Sequence, residues 1–359
     1  MQFLKFKSLL PAAALAVLCS CSTFDEEKIT LDGERISVLD GETALQPDYA
    51  PGQVKIVLPA PYTNTAWSQN GGNAAHMMGH LSSDSKLKEL WESGFGEGSS
   101  KRDFLIAAPV SAHKAVFTID ADGIVNAFRL DDGRKIWKRR LKPLIKDDIS
   151  TSLKGAGLAV FDKKVYATTG FGAVFALDMV TGKKLWRYDT ELPIRIAPTA
   201  ERGVVFIQTI DNKLIALNGV DGSVLWDYKS PSEETTLVGG ASPAYSPQQD
   251  TIVAAFSNGE LRAFKASTGS PLWSDILVSR KRTNSPANIN AIKANPVIDG
   301  STVYAVGNNN ILVAIDLRSG ARIWEREIGS INQPWVAGKF MFVLSNNYDL
   351  FAIEKATGK

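Results

Sequence analysis

Between about Ala107 and the end of the chain, apolar residues alternate with polar ones by twos, the spacing of a strand with one buried face. The alternation is punctuated by a fixed register: an Ala, a Gly six residues later, and a Trp four residues after that. The instances are Ala127-Gly133-Trp137, Ala176-Gly182-Trp186, Ala216-Gly222-Trp226, Ala263-Gly269-Trp273 and Ala314-Gly320-Trp324, with a sixth opening at Ala352-Gly358. Two residues before each Ala stands an apolar residue (Val125, Val174, Leu214, Leu261, Leu312, Leu350). Four before it stands a turn-former (Gly123, Gly172, Asn212, Gly259, Asn310), except that the last unit has Tyr348. Such residues accept the positive φ of a tight hairpin.

Each unit reads as four strands. A short one follows a proline (Pro109, Pro198, Pro243, Pro296), a β-rich one such as Lys164–Thr168 comes next, then the Ala strand, then the Trp strand. From Trp91 to Trp324 the Trp-to-Trp spacings are 46, 49, 40, 47 and 51 residues, the period of a four-stranded propeller blade. No long stretch has the i, i+3, i+4, i+7 pattern of a helical repeat. The expectation is an all-β propeller over residues 61–359, with about six to seven blades visible. The chain stops at Thr357-Gly358-Lys359, three residues before the next expected Trp, so one or two further blades are expected beyond it.

A Trp can stack a flat ligand, but one per unit at a constant offset reads as a packing device. Trp137, Trp186, Trp226, Trp273 and Trp324 are therefore expected to dock between blades, burying a large ring while the indole N–H finds a backbone acceptor.

The amino end follows a different pattern. Lys5 and Lys7 precede an apolar run from Ser8 to Leu18, too short to span a bilayer, and Leu18-Cys19-Ser20-Cys21 resembles a bacterial lipoprotein processing box. Residues 1–20 read as a lipoprotein signal peptide and Cys21 as the lipidated, palmitate-bearing residue. Ser22, in place of Asp, points to the outer membrane, with the body facing the periplasm. Residues 21–60 read as anchor and tether, in which Gln53–Leu58 alternates by twos and is a candidate closing strand. Ala66-Trp67 and Glu89-Leu90-Trp91 read as the edges of a first, degenerate unit.

Composition narrows the chemistry. With 40 basic and 38 acidic residues the formal charge is +2, which does not suit a nucleic-acid binder. The only cysteines are Cys19 and Cys21, so the folded body has neither disulfide nor thiol site. His76 and His80 are spaced i, i+4, but Gly71, Gly72 and Gly79 around them favour a loop over a helical metal site. Asp120-Ala121-Asp122-Gly123 has the opening of a calcium loop without its bidentate Glu and reads as a hairpin turn. Arg280-Lys281-Arg282 reads as a solvated loop. No cofactor, metal or catalytic residue is assigned.

The repeat, above all Ala176-Leu177-Asp178 through Thr181-Gly182-Lys183-Lys184-Leu185-Trp186, resembles the quinoprotein (PQQ-type) repeat. That repeat is shared by quinone-dependent alcohol dehydrogenases, which hold cofactor and calcium on the ring axis beside a disulfide, and by the BamB family of outer-membrane assembly lipoproteins, eight-bladed propellers without a cofactor. The lipoprotein box, the cysteine-free body and Ala314–Gly320 followed by Ile323–Ser330 resemble BamB. The resemblance implies a non-catalytic scaffold of the barrel assembly (BAM) complex that binds BamA, with outer-membrane protein clients. In that family loops between central blades grip BamA; the matching stretches are Thr235–Ser242 and Asn288–Asn295, and the expected partner-binding residues Thr235, Leu237, Val238, Ala291, Ile292 and Lys293. Val238 stands where the family tends to place Arg, and Ala291 and Lys293 where it tends to place acids. The alternatives are a quinoprotein-like periplasmic dehydrogenase and a propeller that binds carbohydrate or cell wall.

Overall fold

The computed structural model describes residues 47–50, 52–101, 104–144, 155–233, 238–277 and 290–359. The signal peptide, Cys21, Thr235, Leu237 and the Arg280–Arg282 loop lie outside them. Val54–Lys359 forms one compact unit.

Among the described residues there is no helix, and six antiparallel sheets follow one another along the chain, at residues 110–140, 155–189, 199–229, 244–276, 297–326 and 335–354. These are blades 1 to 6 of a β-propeller. Blades 1 to 5 have four strands in meander order, and blade 6 has three. The first strand of each blade begins directly after Pro109, Pro198, Pro243 or Pro296 in blades 1, 3, 4 and 5, and the first strands of blades 1 to 5 touch one another in succession, so they line the axis.

The Ala-Gly-Trp register has a single structural meaning. Each Ala faces its own Trp across the third and fourth strands: Ala127 pairs with Trp137, Ala176 with Trp186, Ala216 with Trp226, Ala263 with Trp273 and Ala314 with Trp324, and a bulge follows each Ala. On its other side the Ala faces the second strand, where four blades carry an aromatic ring 5.8–6.1 Å from the indole: Phe117, Tyr166, Phe206 and Tyr304. A larger side chain between the two rings would force them apart, which is why the position is Ala.

The indole then reaches the next blade. Trp137 covers Gly182, Trp186 covers Gly222, Trp226 covers Gly269, Trp273 covers Gly320 and Trp324 covers Gly358; a Cβ on any of these glycines would lie 2.6–2.7 Å from the ring. Their φ angles, +65° to +78°, belong to the left-handed region, so conformation and space both require Gly. Each glycine N–H closes a turn on the carbonyl four residues before it, and the carbonyl three residues before it accepts the Trp N–H at 2.7–3.2 Å. Asp178 and Asp316 fasten two of the turns, each accepting from the backbone N–H and hydroxyl of Thr181 or Ser319, bonds that hold their carboxyls below the usual range. Trp91 makes the same clamp on Gly133, with its N–H on the Leu130 carbonyl at 2.9 Å, although the strand around it is irregular. The degenerate first unit thus keeps one working part.

Gln53–Leu58, the candidate closing strand, forms no ladder, and Val54, Ile56 and Val57 are exposed. Trp67 does not dock on a repeat glycine. It belongs to a strap, residues 67–79, that touches the innermost strands in chain order. Trp67 exchanges backbone hydrogen bonds with Ser111 of blade 1, and the Ser68 carbonyl accepts from Val160 N–H of blade 2. The Gln69 amide brackets Ala200 of blade 3 at 2.9 and 3.3 Å. The Ala74 and Ala75 carbonyls accept from Tyr245 and Ile298 of blades 4 and 5, and the Gly79 carbonyl from the Trp335 indole of blade 6. Alternation by two cannot forecast such a strap, because its bonds run to six different strands.

If the clamp acts as described, Trp226→Ala costs about 3–5 kcal/mol. Gly269→Ala is also destabilising, and in the Trp226→Ala background it costs only the φ penalty of about 1–2 kcal/mol. Chemical denaturation of the double-mutant cycle checks this coupling; additive losses would contradict the clamp.

Candidate functional site

The prolines that start the innermost strands also fix the loops before them. These loops open onto one end of the axis, where a cavity of about 530 Å³ is bounded by the strap at Trp67 and Asn70 and by all six blades. Its wall includes Arg195 from the approach to blade 3, Val238 and Gly240 from that to blade 4, Lys293 and Asn295 from that to blade 5, and Gln333 and Trp335 from blade 6. Trp67 and Trp335 stack on one side with centroids 6.2 Å apart. Among the described residues of this wall there are two cations and no carboxylate.

A smaller pocket of about 50 Å³ opens beside it between blades 3 and 4, sharing Arg195, Gly239 and Lys293. Here the Gln208 amide donates to the Ala255 carbonyl at 3.2 Å, but its oxygen is buried without a partner, as is the Ser257 hydroxyl.

Of the expected partner-binding residues, Thr235 and Leu237 lie outside the described residues, and the other four stand close together with different exposures. Val238 is 49% exposed at the mouth, and Lys293 is half-buried beside it. Ala291 and Ile292 are buried, Ile292 inside the core between blades 4 and 5, so their side chains position Lys293 and present nothing to a partner. Arg195 went unnoticed in the sequence. Its signal lies in the repeat register, since Arg195, Gly240 and Lys293 each stand three residues before the proline of an innermost strand (Pro198, Pro243, Pro296).

The five repeat tryptophans are part of the clamps and lie away from the mouth. Asp120 sits in the hairpin turn read from the sequence, its carboxylate accepting from the backbone N–H groups of Asp122 and Ile124 at 3.0 and 2.7 Å. Among the described residues no three His, Cys, Asp or Glu side chains are grouped to hold a metal.

His76 and His80 are on a loop, as their flanking glycines indicate, but His76 has a structural task. It is 2% exposed with φ of 59° inside the strap, its ring Nδ1 donates to the Pro296 carbonyl at 2.7 Å, and its own carbonyl accepts from Gln333 Nε2 at 2.9 Å. Since a carbonyl can only accept, Nδ1 carries the proton, and the buried Nε2 has no partner. Burial pushes the imidazole down to about 4. The strap therefore ties blade 5 to blade 6 through a histidine that must stay neutral.

The family model for the outer membrane protein assembly factor BamB matches residues 121–359. Among curated proteins, the outer membrane protein assembly factor BamB of Vibrio cholerae is 30% identical over 259 residues, 72% of this chain and 65% of its own. That of Shewanella oneidensis is 25% identical over 357 residues, 98% of this chain and 78% of its own. Among solved structures, BamB from Moraxella catarrhalis superposes with a TM-score of 0.58 at 18% identity, covering 74% of each chain. The quinohemoprotein alcohol dehydrogenase from Comamonas testosteroni gives 0.56 at 16% identity, covering 74% of this chain and 49% of its own. The two likenesses at this level of identity share the fold alone.

Because its pKa is depressed in the folded state, His76 contributes stability that is present above pH 6.5 and lost as pH falls toward about 4, the unfolded chain binding the proton first. His76→Asn, which tolerates the positive φ, should flatten the fall in unfolding free energy between pH 7 and pH 4.5; an unchanged slope in urea titrations at the two pH values would contradict this role for the ring.

Proposed function

Because the chain belongs to the BamB family, we propose that it acts as a non-catalytic scaffold of the outer-membrane β-barrel assembly machinery, held at the outer membrane by a lipid on Cys21 and facing the periplasm. Its contact with BamA is the mouth of the axial cavity. The observation that carries this reading is the convergence of three consecutive inter-blade loops there, bearing Arg195, Val238 and Lys293 around unmatched buried polar groups. Arg195 and Lys293 are the charged side chains among the described residues of the wall, so the matching face on BamA presents carboxylates.

A scaffold fits the axis better than an enzyme does. The strap crosses the innermost strands of all six blades and is hydrogen-bonded to each of them, so the inner wall of the ring is occupied by structural contacts. The folded body has no cysteine to form the disulfide on which the dehydrogenases stack their quinone. Support for a scaffold is therefore both positional and chemical. Outer-membrane proteins in the course of insertion are its clients through the complex.

Affinity purification from solubilised membranes tests the reading. The wild-type chain should bring down BamA, and Arg195→Glu should lower the yield at least tenfold without altering the melting curve; equal yields would remove the mouth as the contact. Mass spectrometry of the membrane fraction should find Cys21 acylated, and a soluble, unmodified chain would remove the anchor.

A further inference from the structure

The outer strands of the blades face away from the axis, and the residue before each Trp on them is apolar and about half exposed: Ile136, Leu185, Leu225, Leu272 and Ile323 lie between 46% and 51%. What separates one part of this rim from the rest is charge. Between Arg129 and Lys142 the chain carries seven basic and two acidic side chains, whereas the outer strands of blades 3 to 5, Val224–Lys229, Pro271–Ile276 and Arg322–Arg326, each have a net charge of no more than one.

Arg129 and Arg134 are paired with Asp131 and Asp132, which leaves the excess positive charge on the cations that follow. Lys135, Lys138, Arg139, Arg140 and Lys142 are all exposed. Arg140 lies 3.5 Å from Asp122, while Lys138 and Lys142 take part in no ion pair among the described residues. The strip continues onto the next blade. Arg139 Nε donates to the Gly182 carbonyl at 2.8 Å and Arg187 Nη1 to the Lys142 carbonyl at 2.8 Å, so the outer strands of blades 1 and 2 form one surface that adds the exposed Lys183, Lys184 and Leu185. Leu144, 74% exposed, extends it. Neither cavity of the axial end reaches it.

We propose that this rim of blades 1 and 2 is a docking strip for an anionic lipid surface. Lysines and arginines interleaved with exposed branched aliphatic side chains supply both attractions of an interfacial site, charge toward headgroups and apolar area toward the acyl boundary. The exposed aliphatic side chains between the cations suit the apolar layer of a lipid surface better than an acidic protein face, whose carboxylates they would meet. The inference rests on the proposed anchor for its strength. Residues 22–46 separate Cys21 from the first described residue and reach roughly 80–90 Å at full extension. That confinement raises the effective concentration of the bilayer toward the millimolar range, where contacts worth about fivefold per cation suffice.

Vesicle flotation of the chain from Ser22 onward, which keeps every described residue and carries no acyl group, measures the strip alone. It should float with vesicles of phosphatidylethanolamine and phosphatidylglycerol, stay behind with pure phosphatidylcholine, and be released by half-molar salt. Lys138→Glu, Lys142→Glu and Lys184→Glu combined should weaken the partition about a hundredfold or more, and the three Lys→Arg changes should preserve it, both with unaltered melting curves. Absence of flotation, or equal flotation of the reversed and wild-type chains, overturns the proposal. So does a result in which the reversed chain loses only co-purifying protein from membranes, since the strip then serves an acidic partner. The vesicles contain no protein, so failure of the BamA contact leaves this outcome unaffected.

Discussion

One contact, the indole of one blade laid on a glycine of the next, carries the architecture. It needs three things at once: a ring large enough to cross the gap, a turn whose glycine has no Cβ to meet that ring, and a carbonyl at the right place in the turn to receive the indole N–H. All three recur at each of six junctions, from Trp91 on Gly133 to Trp324 on Gly358. The recurrent Ala follows from the same contact, because the Trp must lie beside the second-strand side chain, an aromatic in blades 1, 2, 3 and 5 and Val253 in blade 4, without being lifted off its glycine. In blade 2 the two rings even share one acceptor: Tyr166 Oη and Trp186 Nε1 both donate to the Gly219 carbonyl, at 3.1 and 3.2 Å. Burial raises the Tyr166 phenol well above its ordinary value, so it remains a donor.

The clamps join blades near their outer strands and leave the inner ones without a common partner. The strap supplies it. Its direction around the axis follows the order of the blades, and Gly71 and Gly72, with φ of 76° and 97°, allow the sharp turn that this path demands; a Cβ on Gly72 would lie 2.3 Å from Met78. A backbone spent on six different strands cannot shift at one without disturbing its neighbours, and this is why a histidine with an unmatched nitrogen is tolerated at its centre. Inner and outer fastenings together tie each blade to its neighbours at both radii.

The frame sorts chemistry by radius. Near the axis, the loops ahead of the innermost prolines deliver Arg195, Val238 and Lys293 to a single mouth; at the rim, the strand holding Trp137 gathers cations around an exposed isoleucine. Both features exploit positions that the repeat leaves open. The residues of the clamp recur, whereas the third residue before the proline and the neighbours of the Trp on the outer strand differ from blade to blade.

The Ala-Gly-Trp register determined the strand order, the blade boundaries and the docking role of the tryptophans from the sequence by itself, because local turn geometry and alternation by two act within a few residues and repeat. Resemblance also pointed to the right family and, for Val238 and Lys293, to the mouth. The sequence did not reveal that Trp67 belongs to a strap, that Ile292 is buried, or that Arg195 stands with Lys293, since residues so far apart in the chain meet only when the blades are assembled about an axis. Periodicity reports which face of a strand is buried. It cannot report which loops face one another across the axis, and that was decided by the packing of each Trp on the following blade.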